Sequence, residues 1–516
     1  MTELPSPTDL PAPPGLLEAF WEYERALMAN DLAALDDLFA PGPDTLRGDA
    51  AGILVGHDAI SAFRQGRGGA PARDILDIEV REISDAAALV IAITAPLTGG
   101  RGQQTQLWQL VDGAWRVSAA HVSVTGPAVN PAVWRVAGAP LVAGSPDGVL
   151  LRGQTVAVKD LYDVEGFAVG AGIPAFLAES ALATGTSPAV AALLGAGADV
   201  TGIAQTDEFA YSIAGRNPHY GTPPNPAVIG GVPGGSSSGP ASAVALGQAS
   251  IGLGTDTAGS IRVPASYQGI WGLRSTHGSV SADRLLPLAP TFDAVGWLAR
   301  TADPLRAAAE ATLDTGLQRA VAPGFVVFPG FSPHLEPDVR PAFHALLEKA
   351  GSVEIVDLGD LDELFTIFRT VQQAEAWATH GAWITAHPGA LGEDVAGRFA
   401  LAAAITPEQA SAARDALGAA RARLDAVLGD RVLLLPSASS SAPSVMADAE
   451  LIERTRQGTL RLTCIAGITG RPALSVPLMG VPQPGALLDA PVGACLVGPR
   501  FSDLALIDAA EVLAAC

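Results

Sequence analysis

Two serines flanked by glycines, Ser236 and Ser260, stand 24 residues apart in the sparsely charged tract GGVPGGSSSGPASAVALGQASIGLGTDTAGSIRVPASYQGIWGLR, residues 230–274. Glycine costs backbone entropy on folding, so a cluster of glycines around hydroxyls points to tight turns and to backbone N–H groups that must approach a ligand closely. A lysine joins the two serines as a candidate. Only Lys159 and Lys349 among the 31 basic residues are lysines, yet Lys159 falls inside the apolar run QTVAVKDL. Burial penalises a charged ammonium, and lysine, unlike arginine, can respond by losing its proton. Lys159 is therefore a candidate base. A serine that attacks an amide carbonyl divides a difficult hydrolysis into formation and breakdown of an acyl-enzyme.

The segments VAVKDLYDVEG, GGSSSGP and GTDTAGSIRVPA, in this order and spacing, resemble the amidase signature family of serine hydrolases. The flanks TDEFAYSIAGRNPHYGTPPNP, GIWGLRSTHGSVS, LLLPSASSSAP and AGITGRPALSVP fall where the family has comparable segments, so the resemblance runs from about residue 140 to the C-terminus. It implies Ser260 as nucleophile and Lys159 as base. Between them it implies Ser236, on a cis peptide at the 235–236 or 236–237 linkage, as proton relay. The backbone N–H groups of Thr257, Ala258, Gly259 and Ser260 would surround the developing oxyanion, with Ala258 where the family more often has glycine. Thr255, Asp256 and Arg262 would fix the loop by hydrogen bonds. Tyr211, Ser212 and Ser237 are candidates for the substrate pocket, and Asp207 and Glu208 precede the serine loop beside them.

The resemblance implies a small-molecule carboxamide or ureide as substrate, and neither metal nor cofactor. A glutaminase subunit of a tRNA-dependent amidotransferase is an alternative, set against the acidic surface and the extra N-terminal segment. A second alternative is an esterase-like α/β-hydrolase, because Gly235–Ser236–Ser237–Ser238–Gly239 also reads as G-x-S-x-G with Ser237 as nucleophile. Its context is unfavourable. The preceding PNPAVIGGVPG is a proline-rich loop rather than a central strand.

The elements that must position these residues are legible in outline. Leu16, Phe20, Tyr23 and Leu27 recur at helical spacing, Asp31 can cap a second helix carrying Leu35 and Leu38, and a third helix follows around residues 59–63. ILDIEVREI, AALVIAITAPL, QTQLWQL and AWRVSAAHVSV then predict an antiparallel meander. Helices followed by a sheet, with Arg47, G-x-x-x-I-x-x-F-R at 56–64 and WRVSAAHVSV, resemble the cone-shaped NTF2-like proteins that accompany biuret- and oxalurate-degrading amidases. Arg47, Arg64, Arg67 and His121 in that segment are read as ion-paired scaffold ahead of an anion pocket. Beyond it, strands are expected at 155–158, 200–204, 251–253 and 432–435, and helices at 187–197 and 240–246. Such alternation predicts an α/β fold, a mixed sheet covered by helices, preceded by the α+β cone domain. The expected boundaries are 1–126 for the accessory domain, 127–145 for a linker and 146–516 for the catalytic domain, with 303–430 as a variable, helix-rich, substrate-facing lobe.

A net charge of −22 and a pI of about 4.7 argue against nucleic acid and anionic membrane as partners. Cys464, Cys495 and Cys516 share no metal-ligand spacing, and an odd number suggests no disulfide framework, so a reducing cytoplasm is expected. The N-terminus lacks the basic start and apolar core of a secretory signal. His219 and His277 lie nearest the motifs and are read as structural. Because NTF2-like sheets often pair through an exposed face, a homodimer is expected.

Overall fold

The computed structural model describes residues 11–49, 52–67, 70, 72–96, 102–124, 129–483 and 488–515. Two compact units make up the chain, Met1–Val129 and Asn130–Cys516. Cys516 and part of the 127–145 stretch lie outside the described residues.

In the first unit α1 (Leu16–Ala29) buries Leu16, Phe20 and Tyr23 along one face and ends where Asn30 turns left-handed at φ 53°. The Asp31 carboxylate accepts from the Ala34 amide at 3.1 Å and caps α2 (Leu32–Asp37). Strands β1 (Leu46–Asp49) and β2 (Gly52–Val55) form a hairpin before α3 (His57–Arg67). The meander follows as β3 (Arg73–Ser84), β4 (Ala87–Pro96), β5 (Gly102–Val111) and β6 (Ala114–Val124), and the sheet order is β2-β1-β6-β5-β4-β3. The hairpin was not expected from the sequence, because strands of four residues are too short to show a period. Phe20, Tyr23, Phe39, Trp108 and Val117 fill the core between helices and sheet. Arg47 pairs with Asp49 at 2.7 Å and covers the Phe63 ring, while Arg64 donates to the Leu35 carbonyl and covers Phe39, both scaffold contacts. The Arg67 side chain is outside the described residues.

The second unit runs through β7 (Trp134–Val142), β8 (Thr155–Lys159), α4 (Pro174–Glu179), α5 (Pro188–Gly195), β9 (Asp199–Ala204), α6 (Ser238–Ala245) and β10 (Ile251–Asp256). It continues with α7 (Arg262–Gln268), β11 (Trp271–Arg274), β12 (Ala294–Ala299), α8 (Ala302–Thr312), β13 (Phe325–Val327), α9 (Val339–Lys349) and β14 (Val353–Ile355). Three helices come next, α10 (Leu361–Ala386), α11 (Glu393–Ala403) and α12 (Pro407–Leu428). The chain closes on β15 (Val432–Pro436), α13 (Ala449–Thr469), β16 (Ala473–Val481), β17 (Ala490–Val497) and α14 (Asp503–Ala515). Eleven strands join one mixed sheet in the order β14-β13-β15-β17-β16-β11-β12-β10-β8-β9-β7. Third from the β7 edge, β8 runs parallel to both β9 and β10, and β10 is buried at all six positions. Strands covered on both faces read as unbroken apolar runs, which is why this part of the sheet was visible in the sequence.

One expectation is corrected. The stretch read as a linker carries β7, which pairs antiparallel with β9 as the last strand of the sheet, with its register interrupted between Trp134 and Val136 and again between Ala137 and Val142. The helix-rich stretch 303–430 also contributes the three-residue strands β13 and β14, which join the opposite edge. No helix among the described residues is long and apolar enough to cross a membrane.

Candidate active site

Lys159 is the last residue of β8 and Thr255 lies near the end of the neighbouring β10. The Lys159 Nζ donates to Ser236 Oγ and to Thr255 Oγ1, each at 2.8 Å, and the lysine has no exposed surface. Burial lowers its pKa to about 7, although the charges of Asp207, Asp256 and Asp293 push the other way. Ser236 follows a cis peptide, and the cis bond is Gly235–Ser236 rather than the 236–237 linkage. Glycine at 235 is sterically required, since a Cβ there would lie 2.5 Å from Asp207 Oδ2. The buried Asp207 carboxylate braces the same loop, accepting from the Gly215 amide at 2.9 Å and from Ser238 Oγ at 3.1 Å.

The Ser260 loop leaves the end of β10 and folds around Asp256. That carboxylate accepts from the amides of Gly259 at 2.9 Å and Ile261 at 3.2 Å, and from Arg262 Nε and Nη2 at 3.0 and 2.8 Å. Arg274 Nη1 adds bonds to the Asp256 side chain and to its carbonyl. Burial raises the Asp256 pKa, but the two guanidiniums outweigh it and hold the carboxyl below its usual range. Thr255, Asp256 and Arg262 thus sit where hydrogen bonds shape the loop. Thr257 Oγ1 donates to Asp293 at 2.6 Å, and the Ser237 amide donates to the Ser260 carbonyl at 3.2 Å, which ties the two serine loops together. Of the four amides expected around the oxyanion, that of Gly259 donates instead to the Asp256 carboxylate.

Ser260 lines a cavity of about 330 Å³, counting its open mouth, together with Tyr211, Ser212, Thr257 and Ala258. Ser237 does not line it. Its buried Oγ donates to the Thr255 carbonyl at 3.2 Å and accepts from the Thr255 amide at 3.3 Å, so it splices the serine loop to β10. The cavity also contains residues that sequence reasoning missed: Gln372 on α10, Arg398 on α11, and Arg456 and Leu460 on α13. No local word marks them, and only packing of distant helices brings them to Ser260. Glu208 and His219 form a pair at 2.9 Å, with Glu208 also accepting from the Gly392 amide at 2.8 Å. His277 Nε2 lies 2.9 Å from the Pro290 carbonyl. Neither histidine lines the cavity.

A family model described as Amidase matches residues 137–323, and one described as AtzH-like matches residues 14–128. Amidase 1 of Arabidopsis thaliana is 34% identical over 403 residues, which cover 71% of this chain and 93% of that relative. The 2-amino-5-chloromuconic acid deaminase of Comamonas testosteroni is 35% identical over 386 residues, covering 69% of this chain and 80% of the relative. Among solved structures, a vestigial protein complex that reveals the origins of an s-triazine catabolic enzyme aligns with a TM-score of 0.65 at 27% identity. The alignment covers 71% of this chain and 84% of that one.

Proposed function

We propose, since this chain belongs to the amidase signature family of C–N hydrolases and carries an AtzH-like domain at its N-terminus, that it cleaves a small carboxamide or ureide through an acyl-enzyme on Ser260. The observation that carries the reading is the buried Lys159 amine 2.8 Å from Ser236, with a pKa near 7 that leaves a large neutral fraction at neutral pH. A neutral amine can accept a proton from Ser236 as Ser236 takes the proton of Ser260. The Ser260 alkoxide then adds to the carbonyl carbon, and the amides of Thr257, Ala258 and Ser260 stabilise the oxyanion. Each such donor is worth on the order of 10² to 10³ in rate. Collapse expels the amine, which receives the proton back through Ser236. Water, activated along the same path in reverse, releases the acid. Tyr211 and Ser212 bound the substrate on the side facing α11.

A ureide or a similar nitrogen-rich substrate is favoured by the AtzH-like domain and by the structural likeness to a complex that reveals the origins of an s-triazine catabolic enzyme. The test is ammonia release from a panel of carboxamides and ureides, combined with fluorophosphonate labelling of Ser260. Absence of both would remove the acyl-enzyme. Self-association as a cytoplasmic homodimer is part of the proposal, supported by exposed Leu46, Ile53 and Val55 on the β1–β2 hairpin. A monomeric mass by light scattering would contradict it.

A further inference from the structure

The cavity that holds Ser260 is lined by two arginines from separate elements, Arg398 on α11 and Arg456 on α13. Each is oriented by its own tether. Arg398 Nη1 donates to the Tyr211 carbonyl at 2.6 Å and Nη2 to Asp394, while Arg456 donates through Nε and Nη2 to Glu453 at 2.7 and 2.8 Å. The carboxylate partners lie on the solvent side, Asp394 at 71% and Glu453 at 51% side-chain exposure. Partners so exposed are screened by water and offset the guanidinium charge only weakly. The two arginines repel each other, while Asp394, Asp207 and Glu453 act on Arg398 in the opposite sense, and the charges of both, with that of Arg369, reach the phenol of Tyr211. Gln372 adds a neutral hydrogen-bonding group to the same wall.

A protein with a net charge of −22 does not gather cations at its nucleophile without consequence. Two like charges facing a small cavity are relieved by an anion placed between them, and a planar guanidinium matches a carboxylate with paired N–H donors. We infer that Arg398 and Arg456 form a carboxylate-binding subsite, so that the substrate is a small anionic amide or ureide whose free carboxylate is held away from the bond that is cleaved. This rests on Ser260 as nucleophile.

The test compares monoacids with their diamides, malonamate against malonamide and succinamate against succinamide, on the full chain. The acids are expected to show kcat/KM at least tenfold higher. Arg456→Gln and Arg398→Gln should lower the acids' kcat/KM tenfold or more, mainly through KM, and lower it at least tenfold more for each acid than for its diamide. Since Arg398 also holds Tyr211, Arg456→Gln is the cleaner variant, with the far-ultraviolet circular dichroism spectrum as the folding control. An independent arm uses malonate alone, which should slow fluorophosphonate labelling of Ser260 in the wild type and fail to do so in Arg456→Gln. Equal turnover of acids and diamides, or labelling indifferent to malonate in the wild type, overturns the subsite. If none of the four compounds is hydrolysed, the malonate arm alone decides it. Failure of Ser260 to label at all overturns the nucleophile assignment instead, and malonate binding by calorimetry, lost in Arg456→Gln, would then uphold the subsite by itself.

Discussion

Thr463 Oγ1 donates to the Ala258 carbonyl at 2.6 Å, although 205 residues separate the two. The other side of the same peptide is also held, because its N–H, that of Gly259, donates to Asp256 at 2.9 Å. A peptide plane fixed at both oxygen and nitrogen is held against rotation, which restrains the loop carrying the amides of Ala258 and Ser260 proposed above as oxyanion donors. Preorganised donors of this kind need no rearrangement as charge develops. Gly259 permits the arrangement. Its φ is +125°, and a Cβ there would meet Thr463 and Val263 at 3.1 Å.

The first prediction tests that tether. Thr463→Val keeps the shape of the side chain and removes the hydroxyl, leaving the Ala258 carbonyl buried with one acceptor bond fewer. The stability loss is expected to be about 1–3 kcal/mol, read from denaturant midpoints. If the loop loosens as argued, kcat should fall roughly tenfold with little change in KM, the signature of an interaction made in the transition state. A fall in stability with kcat intact would confine Thr463 to packing.

Ser260→Ala and Ser237→Ala should separate chemistry from scaffold. Loss of the nucleophile is expected to lower kcat by at least about 10⁴-fold with an unchanged melting temperature. Ser237→Ala leaves both the amide and the carbonyl of Thr255 without their hydroxyl partner. It should therefore lower stability by about 1–3 kcal/mol while retaining most of the turnover. The opposite ranking would revive the esterase reading with Ser237 as nucleophile.

What could be read from the sequence followed from how local each signal is. Lys159, Ser236 and Ser260 lie in short loops or at strand ends where glycine and an out-of-place lysine stand out, and β8, β9 and β10 are apolar runs. The α11 and α13 residues that complete the cavity have no such mark. Arg398 and Arg456 are ordinary charged positions of amphipathic helices until the fold brings them beside Ser260. Thr463 is likewise a helix threonine whose partner lies far away in the chain. The commitment of the Gly259 amide to Asp256 was hidden for another reason: the sequence names the donors of a loop but not which of them the loop consumes in holding itself together.

Asp256 offers a prediction about stability. Its carboxylate faces Arg262 and Arg274 with all three side chains buried, and Asp256→Asn would leave two guanidiniums sharing a neutral partner. Breaking a buried network from one side is expected to be destabilising by about 3–5 kcal/mol. The pH dependence follows from the sign of the shift. A carboxyl held below its usual range stabilises the fold above its unfolded pKa of about 3.9, and that contribution is lost as pH falls further. Thermal unfolding of the wild type below pH 4 should therefore steepen relative to Asp256→Asn, and parallel acid limbs would contradict the argument.

Lys159 separates general-base chemistry from simple charge. Burial sets its pKa near 7 rather than the ordinary 10.5, so kcat/KM should rise with pH on the acid side with a midpoint near 7 as the amine loses its proton. Between those two values the unfolded chain holds a proton that the folded chain does not. Stability from this group therefore increases with pH across that window, and the trend should disappear in Lys159→Met. Lys159→Arg is the decisive substitution. It keeps a positive charge and nearly the same reach, but a guanidinium has no acceptor and stays protonated throughout, so it cannot take a proton from Ser236. Both Lys159→Arg and Lys159→Ala are expected to lose at least about 10³-fold in kcat/KM, in keeping with the upper range for general-base catalysis. A lysine acting only through its charge predicts a functional arginine variant and no titration near 7. Turnover within tenfold of wild type in Lys159→Arg would take the base out of the scheme and leave Ser236 with no acceptor for the proton it must relay.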